Sequence, residues 1–233
     1  MHFAVVIPAY NNEHTISDVL QRVKKIVSED DIIVVNDGSH DQTVKLCEAA
    51  DVHLFSFSHN QGKGAALKQG FLKVLESDYE AVITLDADGQ HPPELIPNFI
   101  TYCKKYSGDI IIGSRMESLK NMPFLRILSN KITSWLISHR IHQHVADSQC
   151  GFRLIRRTVL ENLQLNLNKF DFESEIIIKA GLAGYQICSV PIETIYHDYG
   201  SSINHVTDTL RFIKLFWKSL FWVGKAQKEP IRV

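Results

Sequence analysis

The chain has 233 residues, 45% of them hydrophobic, which suits one sizeable domain or one domain with an appendage. Its formal charge of -1 excludes the global basic field that nucleic-acid binders use, so any anion must be gripped locally. Cys47, Cys103, Cys150 and Cys188 lie far apart with no C-x-x-C pair, which argues against a zinc site or a disulfide framework and for reduced cytosolic thiols.

In chain order, apolar bursts alternate with helical patterns, predicting an α/β domain with a mostly parallel sheet and helices on both faces. The first strand is Phe3 to Ile7, stopped by Pro8 and entered at once, without the basic segment of a signal peptide. A helix from about Thr15 to Val27 leads to a strand, Ile32 to Val35, ending in Asn36-Asp37-Gly38-Ser39. A third strand, near Val52 to Phe57, passes through Asn60-Gln61-Gly62-Lys63-Gly64 into a helix that buries Ala65, Leu67, Phe71 and Leu75. The fourth (Ala81, Val82, Ile83, Leu85) delivers Asp86 and Asp88. Pro92 and Pro93 open a helix to about Tyr106, since proline is tolerated in a first turn. The fifth strand, Ile110 to Ile112, ends in Gly113-Ser114-Arg115, and the carboxyl half beyond it reads as helical and more basic. No apolar run approaches the roughly 20 residues needed to span a bilayer.

The polar clusters after the first, second and fourth strands should share one rim of such a sheet, where open α/β folds place ligands. Asp86, Asp88 and Gln90 present two carboxylates and an amide, a donor set for a hard divalent cation that holds a diphosphate. Asp37 can accept hydrogen bonds from a base or ribose, and Tyr10 can lie along a planar base. Each cluster alone is what a turn looks like. Together they point to nucleotide-sugar chemistry.

Val6-Ile-Pro-Ala-Tyr-Asn11, Val35-Asn-Asp-Gly-Ser39, Gly62-Lys-Gly-Ala-Ala66, Leu85-Asp-Ala-Asp-Gly-Gln90, Gly113-Ser-Arg115 and Asp147-Ser-Gln-Cys-Gly-Phe-Arg153 occur in this order. As an ordered set they resemble family-2 glycosyltransferases of the GT-A fold, in particular the branch that makes polyprenyl-phosphate sugars, and the resemblance covers residues 1 to about 205. It implies that Pro8, Tyr10 and Asp37 contact the nucleoside, that Lys63, Asp86 and Ala87 complete the donor site, and that Asp86, Asp88 and Gln90 serve Mg2+ or Mn2+. Asp88, Asp147 and Arg115 are the implied catalytic residues. Where many relatives carry Glu after the first-motif Asn, this chain has Asn12, with Glu13 one place later.

The implied reaction is inverting transfer of a sugar from a nucleoside diphosphate, with Asp147-Ser-Gln-Cys-Gly-Phe tilting the reading toward a UDP-sugar. A hydroxyl acceptor on a glycan or glycolipid would need a base, for which Asp147 is the candidate; a polyprenyl phosphate, already largely dianionic, leaves Asp147 a positioning role. A sugar nucleotidyltransferase is less favoured because its glycine-rich basic loop after the first strand is missing. A dinucleotide oxidoreductase lacks its Gly-x-Gly-x-x-Gly there, and retention of both acids and Arg115 argues against a non-catalytic binding module.

Acceptor recognition falls to Arg115, Arg126 and Arg153, because guanidinium groups grip phosphate in bidentate fashion. Arg126 precedes an apolar helical pattern, Leu128, Ile132, Trp135 and Leu136. From residue 206 to 233, Leu210, Ile213, Phe216, Trp217, Leu220 and Phe221 follow helical spacing with Arg211, Lys214 and Lys218 on another face, the pattern of a basic helix at a membrane surface. The same stripe could pack on the domain or a second subunit. The implied location is cytoplasmic, peripheral to the inner membrane face. His91, His197 and His205 lie near these motifs, the latter two around the loop 199–202, and Glu173 and Glu175 resemble the family's acids near the acceptor.

Overall fold

A computed structural model describes residues 1–117, 122–169, 171–193 and 205–222, with the backbone alone for 205–208. Runs of β-branched and aliphatic residues form β1 (Phe3–Ala9), β2 (Ile32–Asn36), β4 (Ala81–Thr84) and β5 (Ile110–Ser114), and nearly every residue in them is buried. Such continuous apolar runs belong to parallel strands covered on both faces. The shorter β3 (His53–Ser56) is partly exposed and closes one edge.

The sheet has seven strands in the order β3-β2-β1-β4-β6-β5-β7, with β6 at Arg153–Arg156 and β7 at Ile187–Pro191. The strands β1, β2, β3 and β4 pair in parallel, with Ala9 beside Asn36 and Val6 beside Thr84, so the clusters after β1, β2 and β4 do share one rim. Chain order reverses between β1 and β4, which opens a crevice at that rim.

Two strands come from the half expected to be helical. Strand β6 runs antiparallel between β4 and β5, pairing Arg153 with Thr84 and with Ile112. Its direction sets the site: the segment before it, residues 147–152, lies at the same rim as the ends of β4 and β5. Alternation across a four-residue strand is too brief a signal to read in isolation.

Helices α1 (Ile16–Val23), α2 (Thr43–Ala49), α3 (Lys63–Leu75) and α4 (Ile96–Tyr106) cover the amino half. The first is shorter than the sequence suggests, because after Val23 the chain tightens into i to i+3 bonds such as Ile26 N–H to Val23 O, 2.9 Å. The prolines open a separate 3-10 turn, Pro93–Leu95, before α4. Helix α3 lies tightly on β1: a Cβ on Gly70 would sit 2.4 Å from Val6 Cγ1.

The carboxyl half adds α5 (Phe124–Ile141), α6 (Arg157–Asn162), α7 (Asp171–Leu182) and α8 (His205–Ser219). Phe212 and Leu215 of α8 join the main core, and α8 packs on α7. Arg140 at the end of α5 donates to the carbonyls of Ser219 and Trp222, capping α8.

Candidate functional site

At the β1/β4 crevice lies a cavity of about 310 Å3. Its walls include Pro8, Tyr10, Asp37, Lys63, Asp86 and Ala87, the whole set expected to hold the donor, together with Asp88. Tyr10 is 40% exposed, while Asp37 is buried. The Asp37 carboxylate accepts the backbone N–H of Gln61 (2.7 Å) and of Gly62 (2.9 Å), fixing the loop that starts α3. Burial pushes its pKa above the usual carboxylate value despite these bonds. Gly62 is required where φ is +105° and a Cβ would meet Asn168 O at 2.5 Å.

Lys63, the first residue of α3, places Nζ 2.6 Å from Asp86 Oδ1 and 2.9 Å from Glu173 Oε1 on α7. Burial raises the cost of an Asp86 charge, but Lys63 first, and then the charges of neighbouring groups including Arg115, together hold the carboxyl below its ordinary range. Asp88 goes the other way, raised by burial and then by the Asp86 charge. Two hard oxygen donors side by side, with an ammonium already standing on one of them, fit a divalent cation such as Mg2+ or Mn2+. Among the described residues no three His, Cys, Asp or Glu side chains converge, so further ligands would come from the diphosphate and water. Gln90 gives its backbone N–H to Asp88 Oδ1 (2.9 Å) and is not among the described residues lining the cavity.

Arg115 and Asp147 form a closed pair. Arg115 Nε and Nη2 reach the two carboxylate oxygens at 2.7 and 2.9 Å, Asn130 Nδ2 adds a third contact at 2.6 Å, and Asp147 is fully buried. Burial alone would raise the Asp147 pKa, yet hydrogen bonds from Arg115 and then its charge bring it below the ordinary value. A base with a depressed pKa and its oxygens already accepting is badly placed to take a proton. Of the two roles the sequence leaves open for Asp147, base for a hydroxyl acceptor or positioning residue for a phosphate one, this geometry suits the second, beside an Arg115 whose charge is felt at Asp86.

Arg153, expected at the acceptor phosphate, spends its guanidinium on backbone carbonyls in this structure. Its side chain is 2% exposed, and Nε, Nη1 and Nη2 donate to the carbonyls of Cys150, Glu173 and Ser148 at 2.7, 2.7 and 3.0 Å. It clamps the 147–153 segment to α7. Arg126 is different: half-buried in the first turn of α5, it lies close enough for its charge to lower the Asp88 pKa.

His91 is buried and neutral, its pKa lowered to about 4 by burial, with Nε2 3.7 Å from Cys150 Sγ. Its Nδ1 finds no hydrogen-bond partner among the described residues. His197 and the loop 199–202 lie outside the described residues, as does the side chain of His205. Glu175 accepts the backbone N–H groups of Asn166 and Leu167 and pairs with Lys179, a structural role.

Sequence reasoning missed Asn60, Lys169 and Arg211, which also line the cavity. Asn60 falls inside the loop that precedes α3, whereas Lys169 belongs to no motif and Arg211 carries in the sequence only the signal of a basic face on an amphipathic helix. On α8 and the turn after it the exposed large apolar side chains are Leu210, Ile213, Trp217, Leu220 and Phe221, while on α5 they are Phe124, Leu125, Leu128, Ile132 and Trp135. No described helix is long and apolar enough to cross a membrane.

The Glycosyl transferase family 2 model matches residues 4–164. The chain is 31% identical over 238 residues to the UDP-N-acetylglucosamine--dolichyl-phosphate N-acetylglucosaminyltransferase of Methanococcus voltae, covering 93% of this chain and 94% of that protein. It is 28% identical over 217 residues to the undecaprenyl-phosphate mannosyltransferase of Micrococcus luteus, covering 87% of each. A crystal structure of glucosyl-3-phosphoglycerate synthase from Mycobacterium tuberculosis in complex with UDP superposes with a TM-score of 0.71 at 18% identity, over 99% of this chain and 88% of that one. That enzyme has also been crystallised with Mn2+ and UDP. The fold is GT-A.

Proposed function

The chain belongs to glycosyl transferase family 2, and we propose that it moves a sugar from a UDP-sugar to a polyprenyl phosphate, with inversion at the anomeric carbon. The observation that carries this reading is the single rim cavity that unites Tyr10 and Asp37 with Lys63, Asp86 and Asp88. The similarity to polyprenyl-phosphate sugar transferases supports the acceptor class.

In this reading Tyr10 stacks on the base, Asp37 accepts from the nucleoside and Lys63 faces the diphosphate. Asp86 and Asp88 would hold Mg2+ or Mn2+, which supplies Lewis-acid stabilisation of the charge left on the departing nucleoside diphosphate. Arg115, held rigid by Asp147, adds fixed positive charge where negative charge develops, without reorganisation during the reaction. The acceptor phosphate oxygen attacks the face opposite the leaving group, through a transition state with oxocarbenium character. Being already dianionic in large part, it surrenders no proton to the enzyme. Arg126 then orients the acceptor phosphate beside Asp88.

Transfer to a hydroxyl is the weaker reading, since Asp147, the residue nominated as base, is buried in its pair with Arg115. A lipid acceptor also accounts for the exposed apolar faces of α5 and α8, which we read as peripheral contacts with the cytoplasmic membrane face. The test is incubation with radiolabelled UDP- and GDP-sugars, Mg2+ and polyprenyl phosphate, followed by solvent extraction. Label from a UDP-sugar in an acid-labile lipid product is the expected result. Label only in hydroxyl-linked glycan would overturn the phosphate acceptor, and transfer only from GDP-sugars would overturn the UDP assignment.

A further inference from the structure

Arg211 sits on α8, the helix that turns Leu210, Ile213 and Trp217 outward, yet it lines the same cavity as Asp37, Asp86 and Asp88. Among the described residues, three cationic side chains belong to residues lining that cavity: Lys63, Lys169 and Arg211. Lys63 is already engaged by Asp86 and Glu173, at 2.6 and 2.9 Å. Lys169 acts on the nucleoside side, where its charge lowers the Asp37 pKa. A diphosphate carries more negative charge than the cation proposed at Asp86 and Asp88 offsets alone, so a further cationic residue lining the cavity favours its binding. A guanidinium, with several donors in a planar fork, suits that task better than an ammonium.

Helix α8 is anchored well enough to aim such a residue. Phe212, next to Arg211, and Leu215 are buried in the core, and Arg140 caps the far end of the helix. The residue is therefore held by packing from a sequence-distant element, with no motif of its own.

Resting on the donor reading above, we propose that Arg211 is a donor-binding residue that contacts the diphosphate, so that α8 completes the nucleotide site on its inner face. The consequence is a division of labour on one helix: Arg211 inward to the donor, Leu210, Ile213 and Trp217 outward.

Titration calorimetry of the full chain with UDP, GDP and uridine, in the presence of Mg2+ and without lipid, tests this. Arg211→Ala should weaken UDP binding by about 10-fold or more, the scale of a lost charge-assisted hydrogen bond, and Arg211→Lys by less. Uridine binding should change by less than about 2-fold, and Lys104→Ala, a surface charge loss on α4, should change neither. Hydrogen exchange on the unmodified protein gives a reading that needs no variant: UDP should protect backbone amides around 209–215, and uridine should not. Unchanged UDP affinity in Arg211→Ala, equal losses for UDP and uridine, or no UDP-specific protection of α8 would each overturn the assignment. If the unmodified protein binds neither UDP nor GDP, the donor reading itself falls, and this inference with it.

Discussion

Asp88 and Asp147 are both aspartates at one rim, yet their surroundings give them opposite work. Asp88 lines the cavity with Asp86, whose charge makes that of Asp88 more costly until a cation arrives. Asp88→Ala should therefore lose at least about 10²-fold in turnover, the scale of removing a main electrostatic stabiliser. Activity of that variant equal to the unmodified enzyme, or undiminished in excess chelator, would dismiss the metal assignment. Asp147 faces Arg115 and nothing else in the chemistry. Asp147→Asn leaves a buried guanidinium without its counter-charge, which should cost about 3 kcal/mol of stability and lower Tm by roughly 6–12 °C in a domain of this size. Activity per folded molecule should fall far less than the 10²- to 10⁴-fold expected for a lost base. The pH dependence has a definite sign. Because the folded pKa of Asp147 is depressed, its stabilisation is present above the unfolded value of about 4 and fades as pH falls through the folded one. The Tm gap between the two proteins should accordingly narrow in acid, as measured by calorimetry from pH 7 down to about 3.

At the scale of elements, α8 has two apolar faces with different fates. Phe212 and Leu215 turn inward, whereas Leu210 is 62% and Trp217 64% exposed. The stripe visible in the sequence is mostly the outward one, and the inner contacts lay between its positions. Deleting the helix would thus remove core packing and Arg211 as well as any membrane contact, so it cannot separate these roles. Point changes can. Trp217→Glu combined with Leu220→Glu should abolish sedimentation with anionic vesicles while leaving the melting temperature and UDP affinity nearly unchanged. For the unmodified protein, raising salt should release part of the bound fraction, because Lys214 and Lys218 contribute screened attraction. Vesicle binding that survives both substitutions would move the contact to α5, where Phe124, Leu125 and Trp135 are exposed.

At the scale of the whole molecule, the site is a junction between two halves of the chain. Gly151, from the carboxyl half, lies so close to the β4 acids that a Cβ would stand 2.7 Å from Asp86 Oδ2 and 2.9 Å from Lys63 Nζ, and its carbonyl accepts from Thr84 Oγ1 at 2.7 Å. Gly151→Ala should displace Asp86 and weaken Mn2+ binding by about 10-fold, as loss of support behind a metal ligand typically does. Electron paramagnetic resonance of bound Mn2+ would detect this, and unaltered affinity would show that the contact is idle. Strands β1, β2 and β4, the acids at their ends and the glycine-bearing loop before α3 were legible in the sequence, because a buried parallel strand is a continuous apolar run and a ligand-bearing turn follows it directly. Local pattern determines such features, and the ordered motifs carried the family with them. The antiparallel insertion of β6, the burial of Asp147 and Arg153, the inward turn of Arg211 and the meeting of Lys63 with Glu173 were decided only by tertiary structure. Each depends on which sequence-distant surface a side chain meets, and a charged residue looks the same in sequence whether its partner is water, a carbonyl or a carboxylate.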